Sequence, residues 1–173
     1  MRRDRTHVIV IGAAALCLGA AVASAQDELS ETDRTFIEQA AEGGYAEVTL
    51  GESAAKSDNP AISTFGKQMI ADHGKMNDEL ATLAKAKGVE PPSDADLASQ
   101  AKGLAVSALP GNTFDRQYVS SQLADHKETL ALFENEAQSG QDPDLKALAE
   151  KGIPVIKQHI AELEKLRQMP EMQ

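Results

Sequence analysis

Cysteine occurs once in this 173-residue chain, at Cys17, and tryptophan not at all, while four phenylalanines and two tyrosines bring the aromatic content to only 3%. Cys17 lies inside an apolar run near the start, residues 8–22, so the chain beyond it has neither disulfides nor thiolate ligands. Stability there has to come from packing, and a bound metal would have nitrogen and oxygen ligands, with thioether at most. Alternation of β-branched with polar residues is missing, which leaves no strand candidate. A second long apolar run is missing too, which excludes a membrane-spanning helix after the opening segment. Positive charge is scarce, 17 Lys and Arg against 27 Asp and Glu for a net −10, and this argues against nucleic acid or an anionic membrane as partner. With no nucleophile elbow, phosphate-binding loop or Cys–His pair, nothing supports hydrolase or nucleotide chemistry, and no catalytic residue is assigned.

The opening segment has the form of a signal peptide: basic Arg2, Arg3 and Arg5, the apolar run, then Ala23-Ser24-Ala25 as an A-x-A cleavage site. Residues 1–25 are expected to be removed after Ala25, leaving a periplasmic or secreted protein that begins at Gln26. The run is too short for an anchor, since a spanning helix needs about 20 such residues. Cys17 follows Leu16 where a lipoprotein would have a small residue, and it leaves with the leader. That removal takes three Arg and one Asp, so the net charge moves from −10 to −12. Residues 26–173 suffice for one domain around one core.

What the chain does contain is helical signal: Ala, Leu, Glu, Lys and Gln in quantity, with apolar residues three and four apart. A first helix is predicted over 30–56, with Ser30 or Thr32 as N-cap and an inward seam of Phe36, Ala40, Gly44, Glu47, Gly51 and Ala54. Ser57-Asp58-Asn59-Pro60 turns the chain into a second, over 60–87, with Ile62, Phe65, Met69, His73, Met76, Leu80 and Leu83 inward and Gly88 as its stop. A long connection follows, with a short helix over 94–108. A third long helix over 113–138 has the seam Val119, Leu123, His126, Leu130, Phe133 and Ala137. A fourth, over 143–168, has Leu145, Ala149, Gly152, Ile156, His159, Leu163 and Leu166, with Pro154 expected to kink or loosen it. The fold class is all-α: a four-helix up-down bundle with a short extra helix between helices 2 and 3, a connection long enough for either a crossover or a simple return.

Each seam carries one polar residue where an apolar one belongs: Glu47, His73, His126 and His159, all near the middle of their helices. Together they hold every histidine outside the leader. Converging ligands on facing helices are how bundles build metal sites, and three imidazoles with one carboxylate suit one transition-metal ion, Fe, Zn, Cu or Mn. The same residues can instead form a hydrogen-bonded polar core that fixes register without metal. Met69 and Met76 flank His73, either as core filler or as soft ligands for copper. Asp72 and Asp125 precede two of the histidines and point about 100° away, toward solvent or an interhelical edge, or toward accepting the outer N–H of a ligating histidine. Glu162 is a further candidate near His159. Gly44 and Gly51 flank Glu47 and let a neighbouring helix come close.

These residues resemble the exported ferritin-like bacterial family grouped as domain of unknown function 4142. The resemblance rests on Phe36, Ala40-Ala41, Glu47 and Gly51; on Phe65, Met69, Asp72-His73, Asn77 and Leu80; and on Phe114-Asp115, Tyr118, His126, Pro154 and His159. It implies a ferritin-like bundle of the cell envelope with no assigned activity, and Glu47, His73, His126 and His159 as family-pattern positions. The Glu-x-x-His pairs of di-iron bundles are absent, since Ile70, Leu123 and Ile156 stand three residues before the histidines. A carboxylate-bridged di-iron centre is therefore not expected. Three functions follow: a periplasmic metal-binding or metal-buffering bundle, a structural or stress-related envelope interaction protein with a polar core, or a metalloenzyme acting on oxygen species or a small redox substrate.

Overall fold

A computed structural model describes residues 28–172, so the signal peptide read over 1–25 lies outside the described residues. The predicted helices form nearly where their caps and stops put them: α1 Glu31–Ala54, α2 Pro60–Ala86, α3 Leu97–Ser107, α4 Gly111–Ser139 and α5 Pro143–Arg167, followed by a 3-10 turn at Pro170–Met172. No strand occurs among the described residues. Ser30 caps α1 in a full capping box with Asp33. Asn59, Asp96 and Asp142 cap α2, α3 and α5 through their side chains, each supplying an acceptor to first-turn N–H groups. Gly88, at φ 77°, supplies the left-handed residue that ends α2. The helix α5 runs uninterrupted past Pro154.

The long helices pack as two hairpins, α1 with α2 and α4 with α5, which meet through α1 against α4 and α2 against α5. The connection between α2 and α4 is a crossover, so α4 runs parallel to α2 and the expected up-down alternation gives way to an up-down-down-up order. Its helix α3 packs on α1 and α4, and its end is fixed by a 2.9 Å hydrogen bond between Ser53 and Ser107 hydroxyls, at the far end of α1 from where α2 stopped. Two polar ties hold the ends in register. At one end Ser57 donates to Asp115 (2.7 Å). At the other, Asp33 accepts from the Gln141 and Asp142 backbone amides (2.9 and 3.2 Å) as well as from Ser30.

Every predicted seam faces inward, and the core divides in two. One apolar cluster gathers Leu50, Phe65, Met69, Tyr118, Leu123 and Leu163; the other gathers Phe36, Ala40, Leu80, Phe133, Leu145 and Ile156. On each long helix the polar seam residue falls between members of the two clusters, so Glu47 and the histidines form a buried polar layer across the middle. Gly51 faces Gly66, where an added Cβ would meet the Gly66 carbonyl at 3.0 Å; this is the close α1–α2 approach that the small residues suggested.

Candidate metal centre

The three histidines arrive from three helices, His73 on α2, His126 on α4 and His159 on α5, and all are essentially excluded from solvent. Their ring centres make a nearly equilateral triangle of 5.4, 5.5 and 5.4 Å, and one nitrogen from each lies within 4.8 Å of the others. The shortest edge is His126 Nε2 to His159 Nδ1, 3.3 Å. Two nitrogens bound tetrahedrally at about 2.0–2.1 Å from one ion would stand roughly 3.3–3.4 Å apart, so that edge already has the separation of a ligand pair.

The outward nitrogens decide what the inward ones present. His126 Nδ1 donates to the Gln122 backbone carbonyl (3.0 Å), and His159 Nε2 donates to Asp72 Oδ2 (2.9 Å). Both partners are acceptors, which places protons on those outer nitrogens; in the neutral rings His126 Nε2 and His159 Nδ1 are then lone pairs facing each other. His73 Nε2 has no hydrogen-bond partner. One nitrogen from each of three buried rings is thus within reach of the other two. Burial, and then the charges His126 and His159 would carry, hold His73 well below the usual histidine range, and burial with the neighbouring His159 brings His126 down to about 4. Those two rings are therefore neutral at neutral pH, the form in which imidazole binds metal.

Glu47 reaches the layer from α1 but does not join the triangle. Its Oε1 lies 3.7 Å from His126 Nδ1, on the side of that ring away from the other histidines, and its Oε2 is buried without a partner. Burial and the nearby Asp125 charge push its carboxyl up to about 8, against the opposing pull of Gln122 and Lys102. Asp72 holds His159 from outside. Asp125 does not touch a histidine and pairs with Lys102 of α3 (2.6 Å) instead, while Glu162 accepts from Gln158 on the exposed side of α5. Met69 is fully buried, and Met76 packs against the second apolar cluster. The residue that sequence reading missed is Gln122, fully buried one turn before His126. A buried glutamine at i−4 of a seam histidine was its only signal.

The sequence model for the domain of unknown function DUF4142 matches residues 18–166. The chain belongs to this family. As a DUF4142 protein it has a structural counterpart in a crystal structure of a DUF305 fragment from Deinococcus radiodurans, with a TM-score of 0.72 and 14% sequence identity over 82% of this chain and 99% of that one. At that identity the likeness is one of helical fold alone. No curated protein matches the DUF4142 chain. No helix among the described residues is long and apolar enough to cross a membrane.

Proposed function

We propose that this chain is an exported, ferritin-like metal-binding protein whose ion is held by His73, His126 and His159. The observation that carries the proposal is the pair of bare nitrogens, His126 Nε2 and His159 Nδ1, held 3.3 Å apart by outer partners that can only accept protons. Two lone pairs at that distance repel each other, and a shared cation removes the repulsion. The outer bonds to Gln122 and Asp72 are the orienting contacts that ligating histidines make. Glu47, 3.7 Å behind His126, adds a carboxyl group beside that ring.

Three neutral nitrogen ligands suit Zn, Fe(II), Cu(II) or Mn, and they leave the ion a free coordination position. Export rests on the leader over 1–25, and the ferritin-like assignment on the single crossover joining two antiparallel hairpins. The test is elemental mass spectrometry on protein purified from the periplasm without chelator or affinity tag. About one transition-metal ion per chain is expected, lost in His73→Ala and in His126→Ala. Protein that is metal-free and takes up none of these ions in titration would mean a hydrogen-bonded polar core instead, and an envelope partner as its business.

A further inference from the structure

Beside the histidine triangle, on the side of the second apolar cluster, lies a cavity of about 130 Å³ between α1, α2, α4 and α5. Its walls are mostly apolar, with Phe36, Met76, Leu80 and Phe133 prominent. Polar side chains also line it, and three of them share one property. Asn77 Nδ2, Glu47 Oε2 and His73 Nε2 are each buried without a hydrogen-bond partner, and all three residues line this one space. Their exposures are 7, 4 and 3%. Two glycines shape the room: the Asn77 carboxamide stands over Gly44 where a Cβ would lie 1.9 Å from its oxygen, and Phe133 fills the place of a Gly152 side chain. A buried polar group left unmet is costly, so Asn77 Nδ2 and Glu47 Oε2 around one cavity mark a place built to be filled.

We infer that this cavity binds a small, uncharged, largely apolar molecule carrying one hydroxyl group. The volume limits the body: an apolar cavity of roughly 150 Å³ in a protein core holds one benzene. The polar groups choose the head. Asn77 Nδ2 can only donate, so the ligand's polar group has to accept from it, and a hydroxyl does so while still able to donate to or accept from the Glu47 carboxyl group in either of its protonation states. Gly44 and Glu47 are three apart on α1, and His73 and Asn77 four apart on α2, so these groups sit on adjacent turns at one end of the cavity. The hydroxyl would lie beside the histidine layer and the body against Phe36 and Phe133. The exposed mouth is crossed by the Lys151–Glu79 ion pair, 2.6 Å, joining α5 to α2.

The inference goes beyond the metal reading and does not need it, because Asn77 and Glu47 suffice as anchors. The test uses the purified mature protein with ¹³C-methyl methionine, titrated with phenol and with benzene, its metal content measured on the same sample. Phenol is expected to shift the Met76 methyl saturably while leaving Met172 in place, and to bind about tenfold more tightly than benzene. Asn77→Ala should remove about tenfold from phenol and nothing from benzene, the effect of one neutral hydrogen bond. Gly43 lines the same cavity and a Cβ there meets nothing within 4 Å, so Gly43→Leu adds bulk without a clash at Cβ and should abolish binding of both. Equal binding of phenol and benzene to the unsubstituted protein, or no saturable shift at Met76, would overturn the inference whatever the metal content. The comparison stands on the unsubstituted protein and Gly43→Leu if Asn77→Ala fails to fold.

Discussion

His73 is the residue at which metal site and polar core give opposite expectations. Its Nε2 is buried and unpartnered, so in metal-free protein the ring bears a desolvation cost with nothing to offset it. Replacing it with leucine, similar in size and set between the two apolar clusters, should stabilise the metal-free protein by about 1 kcal/mol, a rise of roughly 2–4 °C in Tm for a domain of this size, while abolishing metal uptake. A polar core would give the reverse sign, because His73 would then be a working member of the network. Thermal melts in chelator decide between them. Of these residues, Glu47, His73, His126 and His159 were all legible as polar breaks in apolar seams. What the seams do not encode is azimuth within a layer. Glu47 lies on the same stripe as Ala40 and Gly44, yet α1 is placed so that the carboxylate meets the back of His126 rather than the triangle. Asp72 shows the same limit: a residue 100° round the helix from His73 turns out to hold a histidine of another helix.

Among the elements, the α1–α2 hairpin and the α4–α5 turn depend on features that can be perturbed one at a time. At Gly66 an added Cβ would lie 2.6 Å from the Ala55 nitrogen and 2.7 Å from the Gly51 carbonyl, both backbone atoms that cannot swing aside. Gly66→Ala should therefore cost about 3 kcal/mol or more in urea unfolding despite the better helix propensity of alanine. At the other end, burial and then the hydrogen bond and charge of Asp33 push the Glu136 carboxyl up to about 7. A carboxyl whose folded pKa is raised favours folding below its unfolded value of 4.5 and loses that contribution as pH rises through 7. Glu136→Gln should thus be nearly neutral at pH 4 and stabilising at pH 8. Asp33 behaves oppositely. Burial opposes its ionisation, but bonds from Ser30, Asp142 and Gln141 bring it down to about 2, so its contribution, about 2 kcal/mol, is present above 3.8 and disappears as pH falls through 2. Urea titrations of Glu136→Gln and Asp33→Asn across pH 2–8 check both signs. The helices, caps and stops were readable because each is local: Ser30 with Asp33, Pro60 after Asn59, Gly88 after α2. The Asp33–Glu136 contact was not, because it joins residues a hundred positions apart that become neighbours only once both hairpins have packed.

For the whole molecule, the histidines tie α2, α4 and α5 at one level, between the two apolar clusters. An ion there joins the α1–α2 hairpin to the α4–α5 hairpin. Saturating metal at about 100 times Kd should add about 2.7 kcal/mol, roughly 5–10 °C in Tm, fully reversed by chelator. The crossover itself could not be read from the sequence: a connection of this length reaches either end of the bundle, and the Ser53–Ser107 contact and the Lys102–Asp125 pair that direct it involve exposed residues with no periodic signal. The most direct measurement of the central claim is an anomalous difference map from crystals of the protein loaded with Zn²⁺. The expected result is a single strong peak inside the triangle, about 2.0–2.2 Å from His126 Nε2, His159 Nδ1 and a nitrogen of His73. Zinc found only on surface carboxylates, with the three rings empty between them, would contradict it.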